Sequence, residues 1–203
     1  MVSRGSIACT FVSAWLAATS LQAQDASPAA PKLTPEQQAE MEIYARAGAP
    51  GEQHRGLAAA AGRYDVRIRN WYEPGAPPAE ERGAATRVMA LDGRVLMEEF
   101  EGTMMGGPFN GHGMTGYDNV TGQYWSTWND SMSTGLMVST GTCNGDRVCT
   151  FEGTWNDPVR KGPTRMRMTT RWTGPDTEVF EMYGPDKQDR EVRMMEMTYT
   201  RRK

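Results

Sequence analysis

The chain has 203 residues, a formal net charge of −3 and 38% hydrophobic residues. That length fits one core, and a charge so small, with no run of Lys and Arg, excludes a phosphate-neutralising nucleic-acid interface. Beyond the N-terminus no apolar stretch approaches the roughly 20 residues of a membrane-spanning helix.

Residues 1–23 read as an export signal. Arg4 supplies the positive start, residues 7–21 are apolar and uncharged, and Leu21-Gln22-Ala23 offers a cleavage site before Gln24. No Cys follows to carry a lipid anchor, so the expected location is periplasmic or secreted. Cys9 leaves with the signal. Cys143 and Cys149 then remain in an oxidising compartment, bracketing Asn144-Gly145, a strong hairpin-turn signal, and a local disulfide is expected. Two thiolates without a nearby His or further Cys make a poor zinc site, and the spacing is not that of a C-x-x-C redox pair.

Residues 24–34 are Pro- and Ala-rich and read as a flexible linker. Thr34-Pro35-Glu36 then opens a helix, with Thr34 as cap, Pro35 in the first turn and Glu36 complementing the dipole. That helix is expected to end near Gly48. A second helical stretch follows Pro50, runs through His54, Leu57 and Ala61, and stops at Gly62. Residues 35–61 thus form a helical lead-in.

From Tyr64 the period changes to two. Tyr64, Val66 and Ile68 alternate with Asp65, Arg67 and Arg69; Met166, Met168, Thr170 and Trp172 alternate with Arg165, Arg167 and Arg171; Glu178, Phe180 and Met182 oppose Val179, Glu181 and Tyr183. Turn signals at Pro74-Gly75, Asp92-Gly93, Asp118-Asn119, Asn144-Gly145, Pro175-Asp176 and Pro185-Asp186 separate about ten strands. Every connection is short enough for a hairpin. Residues 62–203 are therefore expected to form a closed up-and-down antiparallel β-barrel, closure removing the edges of so long a sheet.

The segments GRYDVRIRNWYEPGAPP, LDGRVLMEEFEG, FNGHGMTGYDNVTGQYWSTWNDS and MEMTYTRR, in that order, resemble a bacterial family catalogued as domain of unknown function 1579. The resemblance covers roughly residues 50–203 and implies a calycin-like, lipocalin-related barrel, with no established activity. Such barrels open with Gly-x-Trp, whose ring packs beneath an Arg of the last strand. Here Gly62-Arg63-Tyr64 stands at that motif, and Arg201 or Arg202 supplies the cation; Tyr64 with Arg201 is the expected barrel base.

The richest block for chemistry is 116–131. Asp118 and Asn119 read as turn residues. Tyr124, Ser126, Trp128 and Asp130 share one strand face, so an inward Trp128 brings an inward Asp130, and a carboxylate there needs a partner or a raised pKa. Arg87 or Arg94 is the candidate partner. Glu196 lies similarly among Met195 and Met197 of the last strand. The expected function is binding of a small apolar ligand, with Tyr117 and Trp128 as lining and Asp130 and Glu196 as polar anchors. An acid/base pair of the two carboxylates and an interaction module with a filled barrel are the alternatives. His54 and His112 lack local partners, no metal or haem is expected, and the numerous Met read as polarizable core before copper ligands.

Overall fold

The computed structural model describes residues 33–145 and 147–203; the stretch expected to be an export signal and most of the expected linker lie outside the described residues. The chain divides into two compact units, Met1–Ala39, described from residue 33, and Glu40–Lys203, which contains the whole barrel. Helix α1 spans Pro35–Ala47. Its start is a reciprocal cap, in which the Gln37 N–H donates to Thr34 Oγ1 (3.2 Å) and the Thr34 N–H donates to Gln37 Oε1 (2.9 Å). A short helix, α2, spans Glu52–Ala58, and His54 Nδ1 accepts the Gly51 N–H at 3.0 Å.

Ten strands follow: β1 (Gly62–Asn70), β2 (Ala79–Ala90), β3 (Val95–Met104), β4 (Gly107–Asp118), β5 (Gln123–Asp130), β6 (Met137–Cys143), β7 (Val148–Asp157), β8 (Gly162–Trp172), β9 (Thr177–Pro185) and β10 (Glu191–Arg201). Each pairs antiparallel with its neighbours in sequence, and β1 pairs with β10 to close the barrel. The period-two pattern explains which face goes inward. Tyr64, Val66 and Ile68 of β1 stand opposite Arg201, Tyr199 and Met197 of β10, and the apolar members of both rows are buried. Their outward neighbours Asp65, Arg67 and Arg69 stand opposite Thr200, Thr198 and Glu196.

The packed core is drawn mainly from one side of the barrel: Tyr64, Val66, Ile68, Ala85, Phe100, Phe109, Met197 and Tyr199. Gly62 turns the chain from α2 into β1 at φ +153°, a conformation a side chain rarely adopts, and a Cβ there would lie 2.3 Å from Arg201 Nη1. Asp118 performs the expected turn chemistry, accepting the Val120 N–H at 2.8 Å. Asn119 does something else. Its Nδ2 donates to Ala47 O (2.8 Å) and Ala49 O (2.9 Å), tying the lead-in to the β4–β5 hairpin.

Cys143 and Cys149 face each other across the β6–β7 turn and form a disulfide. Closing so short a loop limits its entropic effect to about 2 kcal/mol. Replacing both residues with Ser is therefore expected to lower stability by about that much while leaving the far-ultraviolet circular dichroism of the barrel intact. Urea denaturation would check it, and loss of the folded baseline would contradict a merely local staple.

Candidate functional site

One end of the barrel is closed by a charged cluster. Arg87 of β2, only 7% exposed, donates from Nε to Glu98 Oε2 of β3 and from Nη1 to Glu178 Oε2 of β9, each at 2.5 Å. The Tyr199 hydroxyl of β10 donates to the other Glu98 oxygen at 3.1 Å. The guanidinium also stands over the rings of Tyr199 and Tyr64, 4.4 and 5.0 Å from their centroids. Burial alone would lower the Arg87 pKa, but Glu98 and Glu178 outweigh it and hold the group well above its ordinary range. Burial, reinforced by Glu98, pushes the Tyr199 phenol well up, and burial raises Tyr64 against the opposing pull of Arg87 and Arg201.

Tyr64 and Arg201 join this end to the lead-in. The Tyr64 hydroxyl donates to Ala60 O at 2.8 Å, while Arg201 donates to Ala59 O at 2.8 Å and to Ala61 O. The Arg201 guanidinium lies 5.0 Å from the Tyr64 ring centroid. His54 of α2 packs edge-on to Tyr117, with centroids 5.9 Å apart.

On β4–β9 the inward side chains are mixed: Phe109, Ser139, Phe151, Thr164, Met166, Met168 and Glu178 are buried, while a second set is not. Tyr117, Tyr124, Ser126, Trp128, Trp155, Phe180 and Met182 all point inward by register yet keep partial exposure. By register that exposure falls on the inner face of the wall or at its two ends. A row of hydroxyls runs across that face, Thr115 opposite Ser126 and Ser126 opposite Ser139, with Tyr117 and Tyr124 in the row toward α2 and Trp128 in the row toward the open end. Tyr117 and Tyr124 pack edge-on at 4.9 Å.

Asp130 is inward, next along from Trp128, at the rim away from α2. Its carboxylate accepts the Trp128 Nε1–H and the Met132 N–H, each at 3.0 Å. Neither expected arginine reaches it, since Arg87 is held by Glu98 and Glu178 and Arg94 donates to Gly48 O and Leu91 O. Glu196 is on the other side of the wall. Its neighbours Met195 and Met197 take the inward positions, and Glu196 binds Arg69 at 3.2 Å and Arg193 at 2.9 Å on the outer surface. Arg193 and Arg171 also hold Glu181 there, at 2.9 and 3.1 Å. Alternation thus puts Asp130 and Glu196 on opposite faces, and they form no acid/base pair. Glu98 and Glu178, which do meet inside, were legible as carboxylates alternating with Leu96 and Phe100 and with Phe180 and Met182; their shared partner Arg87 was not.

A surface cleft of about 500 Å³ opens at the rim beside the β7–β8 and β9–β10 turns. Its arginines Arg160, Arg165 and Arg167 are already paired with Asp189, Glu152 and Glu191. Among the described residues no group of three or more His, Cys, Asp and Glu converges as a metal site, and no helix is long and apolar enough to cross a membrane.

The molecule is thus a ten-stranded up-and-down barrel, closed at one end by a buried ion cluster and lined on its other side by partly exposed aromatic, Met and hydroxyl side chains. Residues 49–201 match the family described as a protein of unknown function (DUF1579), and the chain belongs to that family. None of the curated proteins matches it. The crystal structure of Rv2717c from M. tuberculosis is similar at a TM-score of 0.56 and 14% identity, covering 76% of this chain and 100% of that one. That is a likeness of fold alone. A redesigned β-barrel is similar at a TM-score of 0.40 and 14% identity over 73% of this chain and 96% of that one, a level that carries no argument.

Replacing Arg87 with Met leaves two buried carboxylates unpaired and is expected to cost about 3–5 kcal/mol in urea denaturation. Replacing Arg87, Glu98 and Glu178 together with apolar residues of similar size is expected to restore most of it. On the alkaline side, Tyr64 and Tyr199 keep their protons in the fold beyond the ordinary tyrosine pKa near ~10. Their contribution is then complete below that pH and lost as pH rises through the folded values. Phenolate absorbance should show Tyr64 and Tyr199 ionising only as the barrel unfolds; loss of both phenol protons in the intact barrel, followed with Tyr64→Phe and Tyr199→Phe as references, would contradict it.

Proposed function

We propose that this is an exported protein that binds one small, largely apolar ligand in the barrel lumen. The observation that carries the reading is the partial exposure of inward Tyr124, Trp128, Trp155, Phe180 and Met182 within a closed wall. A barrel of this size either fills its interior with side chains or leaves room for one small molecule, and the connected cluster of buried core residues lies on β1–β4 and β10. Tyr117 and Trp128 are lining, and Asp130 is the polar anchor at the rim. Glu196 has no part in the lumen, because it faces outward.

Export is supported by Arg4 and the uncharged apolar stretch at 7–21, together with a disulfide of the kind that persists in oxidising compartments. Protein purified from its own host is expected to begin at Gln24, with Cys143 and Cys149 oxidised, by intact mass. A chain retaining residues 1–23 in the cytoplasm would overturn the export reading. Native mass spectrometry of the same sample is expected to retain a small-molecule adduct that Trp128→Ala weakens. An adduct-free spectrum, with no probe ligand shifting tryptophan fluorescence, would overturn the lumen reading.

A further inference from the structure

We infer that the lumen ligand carries a protonated amine, seated at the open rim between Trp128 and Trp155 and beside Asp130 and Asp157; this rests on the lumen-binding reading above. The first observation is a charge census of the inward positions. They carry Glu81, Glu98, Asp130, Asp157 and Glu178 against Arg87 and Arg201. Both arginines are committed. Arg87 is held by Glu98 and Glu178, and Arg201 by two backbone carbonyls and by Asp176 at 3.7 Å. An anionic head group entering the lumen would meet carboxylates and no free cation among the described inward residues.

At the rim the carboxylates are bonded but not neutralised. Asp130 accepts from the Trp128 indole and the Met132 N–H. Asp157 accepts the backbone N–H groups of Val159 (2.7 Å) and Arg160 (3.2 Å). Neither forms an ion pair among the described residues, and each oxygen keeps a lone pair for another donor. Carboxylates around the mouth of a low-dielectric cavity focus field lines and draw cations toward it.

Two indoles stand one register step inside those carboxylates. Trp128 rests on the β4 backbone, where a Cβ at Gly111 would come within 2.2 Å of its ring and one at Gly113 within 3.1 Å. A side chain at Gly111 would displace the ring, and one at Gly113 would press on it. Its partial exposure therefore lies on the lumen side. Trp155 occupies the matching inward position on β7, two strands away, or about 10 Å at ordinary strand spacing. Tryptophan is the best aromatic partner for a cation, and donating Nε1–H to a carboxylate enriches the Trp128 ring further.

A third, independent feature points the same way. Thr164 stands opposite Trp155 on β8, inward and 5% exposed, and its Oγ1 is buried with no hydrogen-bond partner. A buried hydroxyl without a partner is unfavourable, and an ammonium N–H is a donor it can accept. Indole faces, unneutralised carboxylates and an unpartnered hydroxyl together describe a seat for a primary, secondary or tertiary ammonium on an apolar body.

Calorimetric titration of the full mature protein at neutral pH with decylamine, decan-1-ol and decanoate tests this. Decylammonium is expected to bind at least about 10-fold more tightly than the other two. Asp130→Asn with Asp157→Asn should abolish that preference, bringing decylamine affinity down to that of decan-1-ol. Trp155→Leu, should the double variant fail to fold, is expected to narrow the same preference. Equal affinity for the three probes would overturn the amine inference and leave lumen binding standing. A preference that survives both sets of substitutions would overturn the seat, and binding by none of the probes would overturn the lumen reading itself.

Discussion

Everything at the closed end depends on Arg87 reaching two carboxylates at once. Glu98 sits on the adjacent strand β3, but Glu178 sits on β9, beyond β1 and β10. The Arg87–Glu178 contact joins elements 91 residues apart, and it can form only after β10 has paired with β1. The cluster is therefore a consequence of closure as much as a support for it. Taking one cation and two carboxylates out of water is expensive, and the cluster is tolerable because hydrogen bonds and two aromatic faces satisfy it. Its value lies in specificity of assembly, since an open or misregistered barrel leaves those groups unpaired.

The two halves of the interior then differ for a physical reason. Near the β1–β10 seam large side chains meet small ones, Phe100 against Gly83 and Gly102, and the core packs solid. On β4–β7 the glycines are covered by aromatic rings that lie along the wall: Trp128 over Gly111 and Gly113, and Phe151 against Gly141. The hydroxyls of Thr115, Ser126 and Ser139 form an inward row beside those rings. The same alternation sends Glu196, Glu181, Arg69, Arg171 and Arg193 outward into an ion-pair lattice, where Trp71 is flanked by Arg193 at 4.2 Å and Arg69 at 5.1 Å. Such exposed or half-exposed pairs add little individually, but they keep a long β surface charged and averse to edge-on association.

Residues 47–61 are integral to one end of the barrel. Tyr64, Arg201, Asn119 and Arg94 all bond backbone carbonyls between Ala47 and Ala61. Those carbonyls belong to helix ends and to the turn between the helices, where the backbone has acceptors left over. The helical segment is held by its unsatisfied carbonyls more than by apolar burial, consistent with α1 having no buried residue.

Period two in the side chains and short turns between runs were enough, from the sequence alone, to determine about ten antiparallel strands and the hairpin that Cys143 and Cys149 close. These are local properties, readable within a few residues. Asp130 was legible too, because it shares a strand face with Trp128. Glu196 was ambiguous: Arg193 and Met195 flank a register shift in β10 that falls at Met194, so alternation is broken just before Glu196. Which face is inward there was decided by pairing with β1, a contact across 127 residues. The Arg87–Glu178 contact was likewise settled only by closure, while the bonds of Asn119 to the lead-in and the placing of Trp128, Trp155 and Thr164 at one rim depend on how neighbouring elements pair and pack. Side-chain alternation specifies a wall, but which residues confront each other across a lumen depends on how that wall is rolled.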